Sequence, residues 1–114
     1  MNLIDINMLN GLRSILGDEI FDITQLYAEQ VGPDVAKIQI CHASGDFSQL
    51  KQLAHALKGG SANMGALEMA RLAACIEKAA TGDAGVEVAA AVQALEETAR
   101  LTLDAMRQAD LLRA

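Results

Sequence analysis

A chain of 114 residues that is 52% hydrophobic but only 3% aromatic, with one proline and no tryptophan, can build a single core without disulfides or metal, and its alanine- and leucine-rich makeup favours an all-helical domain. The formal net charge of −6 argues against nucleic acid and anionic membrane as partners. No apolar run reaches the roughly 18 residues of a membrane span, and the start Met1-Asn2-Leu3-Ile4-Asp5 lacks the basic run of a signal peptide, so we expect a soluble cytoplasmic domain.

Asp5 or Asn7 caps a short first helix carrying Met8, Leu9, Leu12, Ile15 and Leu16 on its apolar face, and Gly17 ends it. Asp18 then opens an amphipathic stretch through Ile20, Phe21, Ile23, Leu26, Tyr27 and Val31. Beyond Gly32-Pro33 the same period resumes at Val35, Ile38 and Cys41, which predicts one kinked helix from about Asp18 to Ala43. Ser44-Gly45-Asp46 is a turn with Asp46 as the next cap, and a central helix runs from Phe47 to about Asn63, with Gly65 as the left-handed residue behind it.

A fourth helix from Ala66 to about Ala80 packs through Leu67, Ala70, Ala73 or Ala74, Ile76 and Ala80, and Thr81-Gly82-Asp83 closes it. The last helix, from about Gly85 to Leu112, aligns Val88, Val92, Leu95, Ala99, Leu103 and Met106. Short connections make successive long helices antiparallel. The expected architecture is an up-down-up-down four-helix bundle with an extra short N-terminal helix, forming one domain over residues 1–114.

The central helix carries the chemistry. Leu50, Leu53, Ala54, Leu57, Ser61 and Met64 share one stripe at about 100° per residue, and His55 lies roughly 140° from its centre, beside Ser48, Lys51, Lys58, Gly59 and Ala62. His55 is therefore expected to face water. Glycine inside a helix costs roughly 0.5–1 kcal/mol relative to alanine, and Gly59-Gly60 makes that concession twice. At i+4, Gly59 leaves the imidazole uncovered, and Ala62 keeps the next turn low. The Lys58 ammonium at i+3 is free to swing beside the ring, where a cation suits a group that becomes negatively charged.

This core, Ala54-His55-Ala56-Leu57-Lys58-Gly59 followed by Gly60-Ser61-Ala62-Asn63-Met64-Gly65-Ala66, resembles the histidine-containing phosphotransfer (HPt) domain of multistep two-component relays. The resemblance implies that His55 accepts a phosphoryl group from the aspartyl phosphate of a receiver domain and passes it to another receiver. Lys58 would steady the phosphoryl oxygens and Gly59 would leave room for docking, with Lys51, Gln52, Ala62 and Ser48 on the docking face. Mg²⁺ would come with the receiver, this domain binding no cofactor, and the chain would act as a monomeric phosphocarrier more than an enzyme, alone or within a hybrid sensor kinase.

Three departures stand out, the mildest being Met64 in place of the commoner Leu, a tolerable volume swap. Gly60 occupies a place where the family more often has Ser or Ala. Glu77 matches the position of a family glutamine that hydrogen-bonds the other ring nitrogen; it reads as a surface residue of the fourth helix, although a carboxylate can accept the same N–H.

Other chemistry is thin. Cys41 and Cys75 fit no metal or CxxC spacing and read as unpaired thiols, and His42 beside Cys41 is a helix-terminal surface histidine. The five methionines fall mostly at core positions. No glycine-rich nucleotide loop, acidic Mg²⁺ cluster or nucleophile elbow is present. A hydrolase using His55 as a general base is thus a weak reading. The main competitor is a helical interaction module of the same fold without phosphotransfer.

Overall fold

In the computed structural model, which describes residues 2–80 and 85–113, five helices account for nearly the whole chain: α1 Ile6–Leu16, α2 Ile20–Ser44, α3 Phe47–Asn63, α4 Leu67–Ala79 and α5 Gly85–Gln108. The expected Thr81-Gly82-Asp83 turn lies outside the described residues. Asp5 caps α1 by accepting from the Met8 amide at 3.1 Å, and Gly17 ends it at φ 60°. A single 3-10 turn, Gly17–Glu19, precedes α2, so that helix starts two residues later than expected.

α2 continues unbroken past Pro33. Pro33 and Glu29, whose carbonyl loses its amide partner, are both exposed, so that carbonyl is open to hydrogen bonding by solvent. The helix ends in a left-handed Gly45 (φ 76°), with the Asp46 amide reaching back to the Cys41 carbonyl at 3.0 Å. Asp46 then caps α3 through the Gln49 amide at 3.1 Å. The same closure recurs after α3: Gly65 is left-handed at φ 64°, and the Ala66 amide bonds the Ser61 carbonyl at 2.8 Å.

α3 packs between α2 and α4, α4 between α3 and α5, and α5 closes the ring against α2; the diagonal pairs do not approach within 8 Å between Cα atoms. This is a four-helix bundle in chain order. Its core takes Val31, Val35 and Ile38 from α2, Leu50, Ala54 and Leu57 from α3, Met69, Leu72 and Ile76 from α4, and Val92, Leu95 and Met106 from α5. Each fully buried Leu, Ile or Met contributes roughly 1.5–3 kcal/mol. Among the described residues one buried side-chain bond joins two helices, between the Tyr27 hydroxyl and Ser61 Oγ at 2.8 Å, and it fixes α2 against α3.

Several expected apolar faces are rotated. Ile15 is 81% exposed, because α1 turns inward on the side of Leu9 and Arg13, about 120° and 160° away. The Arg13 guanidinium donates to the carbonyls of Ala109 and Asp110. Ile23 and Leu26 are exposed at the margin of α2, which buries Ile20, Thr24, Tyr27 and Val31 instead. In α4, Leu67 is exposed and Ala70 and Ala74 are only partly covered, since Met69 and Leu72 set the buried face. Small residues do not compete with those two for interior volume.

α5 stops at Gln108, four residues short of the expected Leu112. Asp110 adopts φ 59°, the Leu111 amide bonds the Met106 carbonyl at 2.8 Å, and Leu111 and Leu112 fold back into the core. Arg113 lies 4.0 Å above the Phe21 ring, so the chain's last turn is held from both α1 and α2.

Candidate functional site

The apolar stripe of α3 points Leu50, Ala54, Leu57 and Ser61 into the bundle, and this orientation leaves His55 outside. Its side chain is 70% exposed. The ring is nevertheless held: Nδ1 lies 2.5 Å from Oε2 of Glu77 on α4. The other carboxylate oxygen, Oε1, lies 2.5 Å from Nζ of Lys58. Glu77 thus bridges the two side chains, its own being only 18% exposed.

Hydrogen bonds from Lys58 first, and then His55, hold the Glu77 carboxyl below its usual range. An ionised carboxylate only accepts, so the hydrogen of a neutral imidazole resides on Nδ1. Nε2 is left with its lone pair, on an exposed side chain. The site therefore offers a nucleophile of fixed tautomer with a cation one helical turn away.

The Lys58 ammonium is not free, as the sequence suggests, but paired with Glu77 and partly covered. Nor is Glu77 an ordinary surface residue. It follows the buried Ile76 and stands four residues after the buried Ala73, which puts it at the edge of α4 that meets α3. That border position, on a helix antiparallel to the one bearing the histidine, is the sequence signal for its contact with both residues.

Around the ring, Ser48, Lys51, Gln52, Gly59 and Ala62 are all exposed on the same side of α3. Lys51 makes no ion pair among the described residues, so with Lys58 it gives this face two ammonium groups on an acidic chain. A Cβ added at Gly59 or Gly60 would meet nothing within 4 Å. Neither glycine is demanded by packing inside this chain, although each weakens the helix. Gly59, one turn from His55, provides a low surface next to the imidazole, whereas Gly60 lies about 140° round the helix from it.

The remaining candidates stay apart. Cys41 and Cys75 are free thiols on α2 and α4, and His42 sits in the last turn of α2 beside Phe47 and Val88. Among the described residues no group of three His, Cys, Asp or Glu side chains is placed to hold a metal, and no helix is long and apolar enough to cross a membrane.

Comparison with known proteins agrees with this geometry at the level of the family. A search of curated proteins and a search of solved structures find no match. The sequence model of the Hpt domain matches residues 22–109, from the first turns of α2 to the end of α5, leaving α1 outside. With most of its length matched and its bundle built in chain order around an exposed histidine, the chain belongs to the Hpt domain family, whose members are phosphocarriers in phosphorelays.

Proposed function

We propose that His55 accepts a phosphoryl group on Nε2 from the aspartyl phosphate of a receiver domain and returns it to the aspartate of another receiver. The observation that carries this reading is the exposed imidazole whose Nδ1 is tied to Glu77. In the accepting step the Nε2 lone pair forms the N–P bond while the P–O bond to the aspartate breaks, the electron pair leaving on the aspartate carboxylate. Lys58, one turn on, is within reach to turn from Glu77 and steady the phosphoryl oxygens.

Gly59, Ala62, Ser48, Lys51 and Gln52 form the surface on which the receiver sits. Phosphoryl transfer also needs charge neutralisation along the line of attack, and a receiver-held Mg²⁺ supplies it. The domain is a carrier, active in the cytoplasm as a monomer or as a module of a hybrid sensor kinase. The reading is tested by mixing the domain with a phosphorylated receiver and Mg²⁺. Label should appear on an acid-labile, base-stable linkage, and His55→Gln should abolish it. Partner binding that ignores His55, with no label on the wild type, would instead identify a plain interaction module.

A further inference from the structure

Resting on the phosphocarrier reading, we infer that the Glu77 carboxylate makes the phosphorylated ring a ready donor, so that this site passes its phosphoryl group on and does not store it. The geometry on which this stands is the shared carboxylate: Oε2 on His55 Nδ1 and Oε1 on Lys58 Nζ, both at 2.5 Å.

When Nε2 attacks phosphorus and Nδ1 keeps its hydrogen, both ring nitrogens are substituted and the imidazole carries a full positive charge. When the group departs, the N–P electron pair returns to Nε2 and the ring leaves as a neutral imidazole. If Nδ1 has first lost its proton, the leaving group is an imidazolate anion, which is far poorer. The residue that keeps the Nδ1 proton in place thus controls how easily the N–P bond breaks. A neutral amide oxygen in the same position would select the same resting tautomer but bring no negative charge to the ring. A carboxylate does both.

Lys58 adds a second step. Its ammonium sits on a flexible stem three residues from His55, and a phosphoryl group on Nε2 draws it toward the new oxygens. Oε1 of Glu77 is then released from its partner, and the carboxylate charge is left facing the ring alone. Charging the ring and freeing the carboxylate are one event. Glu77 acts here as a positioning residue, through His55 and not on the phosphoryl group itself.

The test uses phosphoramidate, whose P–N bond breaks with loss of ammonia, to phosphorylate His55 without any receiver. Wild type, Glu77→Gln, Lys58→Met and the double variant are labelled, and the decay of the phosphohistidine signal to inorganic phosphate in water is followed by ³¹P NMR at neutral pH. The expected result is that Glu77→Gln lengthens the lifetime about fivefold, the order set by exchanging a charge-assisted for a neutral hydrogen bond, and does so in the Lys58→Met background as well. ¹⁵N NMR of the unphosphorylated proteins should show the Nδ1–H tautomer in both wild type and Glu77→Gln. Equal lifetimes would overturn the inference, as would an effect that vanishes with Lys58→Met or a tautomer mixture in Glu77→Gln. None of these outcomes touches the phosphocarrier reading, which is tested separately by label exchange with receivers and its loss in His55→Gln.

Discussion

Nδ1 of His55 and Oε2 of Glu77 are 2.5 Å apart, so the nucleophile on α3 is oriented by a side chain on α4. Removing the acceptor should leave the ring free to rotate and to populate both tautomers. Glu77→Ala should therefore give a mixed Nδ1–H and Nε2–H signal in ¹⁵N NMR and slow receiver-to-His55 transfer by about tenfold, one 1.4 kcal/mol increment of barrier. An unchanged tautomer would mean that the ring is held by something else.

Gly59 separates stability from function. Because a Cβ there meets nothing within 4 Å, Gly59→Ala should raise stability by about 0.5–1 kcal/mol through helix propensity alone. Gly59→Leu should fold equally well yet cut phosphoryl transfer at least about tenfold, because a branched side chain one turn from His55 blocks close approach. Thermal unfolding and a transfer assay on the same samples check both halves.

Tyr27 is the only tyrosine, and its buried hydroxyl meets Ser61 of α3 at 2.8 Å. Burial above all pushes its phenol up to about 12, with the Ser61 hydrogen bond pulling the other way and the Asp34 charge adding to it. The folded state thus holds the proton more tightly than the unfolded chain, whose tyrosine titrates near 10. This contribution to stability is intact below about pH 10 and is lost as pH rises through the folded value. Tyrosinate absorbance should show a midpoint near 12 for the native protein. Tyr27→Phe should cost about 1 kcal/mol at neutral pH and flatten the alkaline limb of the stability profile.

The Arg13 guanidinium bonds two carbonyls at the end of α5, and Leu111 is fully buried just beyond them. Arg13→Met should cost about 1–2 kcal/mol by leaving the Ala109 and Asp110 carbonyls without that donor, and it should speed amide exchange at Leu111. Leu111→Ala should cost about 2–4 kcal/mol in denaturant unfolding. Neither variant should alter transfer in protein that remains folded.

The helices were legible because their punctuation is local. Asp46, Gly17, Gly45 and Gly65 act within a few residues of themselves and are plain in the sequence, while the first cap, open between Asp5 and Asn7 there, falls to Asp5. The exposure of His55 follows from the strict stripe of Leu50, Ala54, Leu57 and Ser61 on its own helix. Orientation was harder where a helix has more apolar residues than it can bury: Ile15, Leu26 and Leu67 fit a helical period, but the interior is filled by Leu9, Tyr27 and Met69. The Schellman-like turn at Asp110 was hidden because the left-handed residue is not glycine.

The Glu77 bridge was only half visible. Its contact depends on the register between α3 and α4, which no spacing along one helix encodes. The position of Glu77 next to the buried Ile76 marks the edge of α4, but the simultaneous hold on His55 and Lys58 is a property of two packed helices.

The central claim is that His55 carries the phosphoryl group on Nε2. Rapid-quench transfer from a phosphorylated receiver in Mg²⁺, followed by ³¹P NMR of the labelled domain, tests it most directly. The account predicts a single phosphoramidate signal at Nε2 of His55, absent from His55→Gln. Label surviving in that variant, or a phosphoryl group bound at Nδ1, would contradict it.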